Sequence, residues 1–216
     1  MLQLGLCGSI GYMGDVKSPD LGGDPEGDEA VVTERAGVHE GRVRVLVAAL
    51  RSGRYAQTTG VLQRLEEYNK KPAGFCCLGV ACEVAIDNGL ALHKDEGEAT
   101  SSNYIVRYWT ESFSVTCDNP ACPGHGAGEA AVSSLLPVAA CWFGFGPADV
   151  DPLLRVPREV MEQAPAEFAG SWSEEAKYPA TTLNDASWTR FTLSMIGDCF
   201  EYTFLPQDWE AAHAQG

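Results

Sequence analysis

Apolar residues first recur at helical spacing over Val43, Leu46, Val47 and Leu50, which leaves Arg42, Arg44 and Arg51 toward solvent, and Ser52-Gly53 supplies a stop. Order is therefore predicted from about residue 40. Residues 55–62 have strand and turn character, and residues 65–68 read as a helical turn or a loop before Pro72. A second helix is predicted from about Phe75, with Leu78, Cys82, Ala85 and Ile86 on one side, Val80 and Val84 widening the stripe, and Asn88-Gly89 as a left-handed stop. Gly79 lies inside it, where glycine costs a helix about 1 kcal/mol relative to alanine, so a close approach of another segment is expected there.

Further on the pattern weakens. Residues 91–103 read as an acidic loop, and residues 104–117 alternate well enough for one or two strands. Residues 136–143 read as a short buried helix with Pro137 in its first turn, and Pro157 opens another helical turn over residues 158–162. Residues 170–179 read as surface loop. Trp188, Phe191, Met195, Cys199 and Tyr202, with Ile196 beside them, predict an amphipathic helix launched from Asn184-Asp185, either of which can cap it. The last residues, 209–216, read as frayed. These elements add up to an α+β fold of several short helices on a small antiparallel sheet. The domain spans residues 40–205, between a flexible acidic extension over residues 1–39 and a C-terminal tail over 206–216.

Composition sharpens this picture in three places. A hydrophobic share of 45% is enough for a core, and no apolar run reaches the eighteen or so residues of a membrane span. Residues 2–12 lack the basic start of a signal peptide, and the acidic, turn-rich segment over residues 14–29 argues against export, so a host-cytoplasmic setting with reduced thiols is expected for the eight cysteines. In that segment Asp15, Asp20, Asp24, Asp28 and Glu29 do not match the ligand spacing of a calcium loop. The net charge of −15 is uneven: residues 41–71 carry seven bases against two acids, while the residues after 71 carry twenty acids and six bases. Arg42, Arg44, Arg51 and Arg54 with Tyr55 and Gln57 form the candidate binding face. Its alternative reading is a set of arginines that pair with the acidic remainder.

Several chemistries are conceivable. Cys117, Cys122 and His125 can converge through the Pro120, Pro123 and Gly124 turns and offer a tetrahedral zinc shell, although the spacing departs from compact zinc sites. No cofactor is expected, with structural zinc there as the alternative. A thiol at Cys76 or Cys77 near a helix start, served by His93 or His125, is the enzymatic alternative. Against it, Cys77 and Cys82 fit a buried helix face as small hydrophobes. His39 and His213 lie in terminal regions. Asp149 and Asp151 fit a turn, Asn184 and Asp185 fit a cap, and Gly8-Ser9-Ile10-Gly11 lacks the lysine of a phosphate loop. Nucleic-acid binding through residues 41–71 lacks a reading-helix pattern and works against the overall charge, which leaves a protein partner as the favoured ligand.

Three segments stand out together: Ala49 to Gln57 (ALRSGRYAQ), Phe75 to Cys82 (FCCLGVAC) and Leu183-Asn184-Asp185, accompanied by Leu136-Pro137 and Trp142. They resemble a widespread group of small, uncharacterised bacteriophage and prophage proteins met as accessory genes. The resemblance covers residues 45–200 in outline and departs from the group in a longer region over residues 100–135. It implies a phage or prophage setting and a compact α+β domain. From the residues themselves, Cys77, Leu78, Gly79, Cys82, Asn184 and Asp185 are expected to serve the fold. The resemblance implies no enzymatic activity.

Overall fold

The first helix, α1 (Glu40–Arg51), buries the predicted stripe of Val43, Leu46, Val47 and Leu50. Its strongest packing is along α6 (Leu193–Phe204), whose Ile196, Cys199 and Phe200 are buried. Gly197 makes that approach possible, because a Cβ there would lie 3.3 Å from Leu50 Cβ and 3.4 Å from Arg51 Cγ. The computed structural model describes residues 38–66, 71–99, 103–110, 130–146, 148–164, 170, 172–173, 175–185 and 191–214, and all of them belong to one compact unit, Glu34–Gly216. Val38 packs on its core, and the His39 N–H donates to the Phe143 carbonyl at 3.0 Å, so the folded part begins slightly before the predicted boundary. The remaining residues of the predicted extension, 1–37, lie outside the described residues.

The sheet is antiparallel. Strands β1 (Gln63–Leu65), β2 (Pro72–Phe75), β3 (His93–Ala99) and β4 (Asn103–Trp109) lie in the order β2-β1-β4-β3. β3 pairs along the whole of β4, from His93 opposite Trp109 to Ala99 opposite Asn103. The other edge of β4 is shared by β1, at Tyr104 and Ile105, and by β5 (Ala130–Ala131), at Tyr108 and Trp109. One sheet face is buried through Gln63, Leu65, Val106 and Tyr108 and meets α2 (Cys77–Asp87), where the Tyr108 hydroxyl lies 2.8 Å from Glu83 Oε1 and 2.9 Å from the Gln63 amide. A phenol has one proton to donate, and both partners offer acceptor oxygens, Gln63 through Oε1; Glu83, also held by Lys94 at 3.0 Å, is the stronger acceptor.

The predicted helices are observed over α1, α2 and α3 (Pro137–Phe143), the last opened by Pro137 and closed by Gly144 at φ +81°. Residues 158–161 form α4. Four expectations change. The acidic loop over 91–103 is largely strand β3, because the register with β4 carries a segment whose own side chains are polar. The loop over 170–179 contains β7 (Lys177–Pro179), paired with β6 (Leu153–Arg155). Asn184 and Asp185 do not launch the long helix: they end a separate α5 (Ala180–Asp185), and Thr192 caps α6 through Oγ1 accepting from the Met195 N–H at 3.2 Å. The tail over 206–213 is helix α7 (Pro206–His213), tied down by Trp209 at 7% exposure, Tyr202 against its ring, and Asp208 paired with Arg44. No helix among the described residues is long and apolar enough to cross a membrane.

Candidate functional site: the two ends of α2

The three distinctive segments meet at the start of α2. Residues 56–58 run beside β2, with Thr58 N–H donating to the Phe75 carbonyl at 2.9 Å, Phe75 N–H donating to the Ala56 carbonyl at 2.8 Å, and the Tyr55 ring edge-on to Phe75 at 5.1 Å. Leu62 crosses the first turn of α2. A Cβ on Gly79 would lie 1.7 Å from the Leu62 carbonyl oxygen, which confirms the close approach and explains a glycine inside this helix. Into the same junction comes Asn184, only 5% exposed. Its Oδ1 accepts from the Cys77 N–H at 3.2 Å and from Gln57 Nε2 at 3.2 Å, while its Nδ2 donates to the Thr58 carbonyl at 2.9 Å and to Asp185 Oδ1. Gln57 Nε2 also donates to the Phe191 carbonyl at 2.8 Å. Asn184 is thus a cap for a helix that begins 107 residues before it, and all four of its hydrogen-bonding positions are satisfied.

The thiols at this junction are not poised for chemistry. Cys76 is the N-cap of α2, its Sγ accepting from the Gly79 N–H at 3.4 Å, yet burial outweighs the N–H groups and pushes the thiol up to about 11. Burial raises Cys77 and Cys82 well above the ordinary thiol value, and Cys77 Sγ donates to the Ala180 carbonyl at 3.6 Å. At neutral pH these are protonated, packed side chains. The five described cysteines, Cys76, Cys77, Cys82, Cys141 and Cys199, are all free and buried. Among the described residues no three His, Cys, Asp or Glu side chains gather in a metal-binding group; Cys117, Cys122 and His125 lie outside the described residues.

The predicted basic face is divided. Arg42 donates to the Trp142 carbonyl at 2.7 Å and lies 4.4 Å over that indole. Arg44 forks onto Asp208 at 2.6 and 3.2 Å and reaches Glu40 at 2.9 Å, and its hydrogen bonds hold the Asp208 carboxyl below the usual carboxylate range. Arg51 donates to Asp198 at 2.6 and 2.8 Å and to Glu201 at 2.5 Å. Gln57 belongs to the Asn184 junction. For Arg44, Arg51 and Gln57 the pairing reading is the one the geometry carries.

Arg54 and Tyr55 differ. Arg54 is 70% exposed, 3.8 Å from Asp87 and 5.3 Å over the half-buried Tyr55 ring. Together with Val45, Ala49, Val84 and Asn88 they line a groove of about 160 Å³ between α1 and the C-terminal end of α2. Val45 is 43% exposed, one of two large apolar side chains so placed among the described residues. Reading the α1 stripe alone passes over Val45; the available signal was an apolar residue off that stripe, four positions before Ala49, which shares the groove with it.

The family described as a domain of unknown function (DUF8296) matches residues 42–122, a segment that contains the whole lining of this groove as well as Gln57 and Cys77. No curated protein and no solved structure matches the chain.

Proposed function

We propose that this chain is a phage or prophage accessory protein that acts in the host cytoplasm by stoichiometric binding to a protein partner, with the α1–α2 groove as the docking face. The observation that carries the reading is the meeting of an exposed Val45, the Tyr55 ring and a loosely paired Arg54 in one groove, while Arg44 and Arg51 nearby are fully engaged by acids. Aromatic and arginine side chains beside an apolar floor are the residue types that anchor protein interfaces. The groove is small, so it suits one apolar side chain of the partner entering against Val45 and Val84, with a carboxylate reaching Arg54. The likeness of the three motif segments to phage accessory proteins supports the setting.

Tagged protein purified from cells carrying the phage is expected to bring down one partner, and the two purified proteins are expected to reassemble at a mass equal to the sum of both chains. Val45→Asp and Arg54→Glu are expected to abolish the complex without changing the melting temperature. Recovery of the protein alone, or a complex indifferent to both substitutions, overturns the proposal.

A further inference from the structure

A second cavity lies between α6 and the β6–β7 pair. It measures about 300 Å³ and is lined by Val38, Phe145, Leu153 and Phe204, with Asp149 and Lys177 among its polar residues. That volume is at the lower end of the roughly 300–1,000 Å³ of small-molecule sites. Its apolar part is aromatic, with the Phe145 and Phe204 rings 4.6 Å apart and tilted by 31°. Leu153 is 52% exposed, the more exposed of the two large apolar side chains noted above.

The cavity also carries charges of both signs. Arg44, Arg51 and Lys94 all close onto carboxylates. Asp149 and Lys177 line the same cavity, yet among the described residues neither side chain forms an ion pair or hydrogen bond. Opposite charges held apart at a partly apolar cavity match a ligand that carries both charges itself. The β6–β7 register holds the lysine in place, with Arg155 opposite Lys177 and Leu153 opposite Pro179, and Thr203 Oγ1 accepts from the Arg155 N–H at 2.8 Å, which ties this pair of strands to α6.

We infer that the cavity binds a small zwitterion with an apolar body, of the chemical class of a free aromatic or branched-chain amino acid. The ligand ammonium faces Asp149, its carboxylate faces Lys177, and its side chain lies against Phe145 and Phe204. No residue is shared with the α1–α2 groove, so this site stands or falls independently of partner binding.

The test is a titration of the full-length protein with L-phenylalanine and L-leucine, followed by backbone amide shifts in NMR. The single-charge analogues 2-phenylethylamine and 3-phenylpropionate, and L-alanine, which lacks the apolar body, are titrated in parallel. Saturable shifts at Gly144, Phe145, Leu153 and Thr203 are expected for phenylalanine or leucine, with dissociation constants of about 1 mM or tighter. Each analogue is expected to bind at least about tenfold more weakly. Lys177→Glu, a change at an exposed side chain, is expected to weaken phenylalanine binding by a similar factor, and Phe204→Trp to abolish it by filling the cavity. Absence of saturation by both amino acids, equal binding of the single-charge analogues, or unchanged binding by Lys177→Glu overturns the inference. Because the Lys177 side chain is exposed and among the described residues forms no ion pair or hydrogen bond, its result stands even if Phe204→Trp fails to fold.

Discussion

The two ends of α2 are built from adjacent pieces of the same sequence motifs and have opposite characters. At the N-terminal end, Gln57, Cys76, Cys77, Gly79 and Asn184 are packed against backbone, and the Asn184 amide has a partner at every position. At the C-terminal end, Arg54, Tyr55, Val84 and Asp87 surround an open groove, with an ion pair stretched to 3.8 Å and an apolar side chain in water. A motif that looks uniform along the chain, ALRSGRYAQ, therefore divides within three residues: Gln57 holds the fold together, Tyr55 lies half-buried between Phe75 and the groove, and Arg54 faces outward. Distinctive residues are not by that fact functional ones; burial and internal satisfaction separate the two.

Substitutions at the closed end are expected to have the largest effects. Gly79→Val places a branched side chain into the Leu62 backbone, where even a Cβ lies at 1.7 Å, and is expected to cost on the order of 4 kcal/mol or more in urea unfolding, or to prevent folding. A fully stable Gly79→Val protein would refute the contact. Asn184→Leu leaves the Cys77 N–H and the Thr58 carbonyl unpaired and is expected to cost about 2–4 kcal/mol. Gln57→Ala combined with it is expected to cost less than the sum of the two single changes, because both lose the same hydrogen bond.

The thiols give a pH-dependent counterpart. Burial raises the folded Cys76 to about 11, whereas the unfolded thiol titrates near ~8.5. The folded state therefore binds more protons in this window, and stability is full below ~8.5 and declines as pH rises toward the folded value. Urea unfolding from pH 8 to 10.5 is expected to show that decline, with Ellman's reagent reacting at these cysteines only once the protein unfolds. Rapid reaction of Cys76 in the folded protein at neutral pH would revive a thiol-dependent chemistry.

Smaller effects are expected along α1. Arg51→Ala is expected to cost about 1 kcal/mol or less, since its partners are partly solvated. Arg44→Ala is expected to return the Asp208 carboxyl toward its ordinary range in an NMR titration. Because Arg44 depresses that carboxyl, the pair stabilises the fold above the unfolded carboxylate value and is lost as pH falls through the folded one. An unmoved Asp208 midpoint would remove the pair from the account. The smallest effect on stability is expected in the groove, where Val45→Asp and Arg54→Glu should stay within about 0.5 kcal/mol of the native chain.

What could be read from the chain depended on whether the cause was local. The Val43, Leu46, Val47 and Leu50 stripe, the Asn88-Gly89 stop and the Pro137 start each contain their own signal, and α1, α2 and α3 follow them. Gly79 was legible for the same reason, since an unfavourable residue inside a helix asks for a tertiary explanation. β3 was not, because its polar residues become a strand only through the register with β4. Asn184 was read as a cap, correctly in kind, but for the helix that follows it rather than for α2 far upstream. The Arg44 and Arg51 partners, Asp208, Asp198 and Glu201, lie about 150 residues away and leave no pattern near the arginines.

The contrast between the two ends of α2 is tested most directly by photocrosslinking. A benzophenone amino acid at position 45, exposed in the groove, is compared in phage-carrying cells with the same group at Arg158, exposed on α4. A single one-to-one adduct from position 45, absent from position 158, is the expected result. An adduct from position 158 alone, or none from position 45 when the partner co-purifies, would contradict the groove as the binding face.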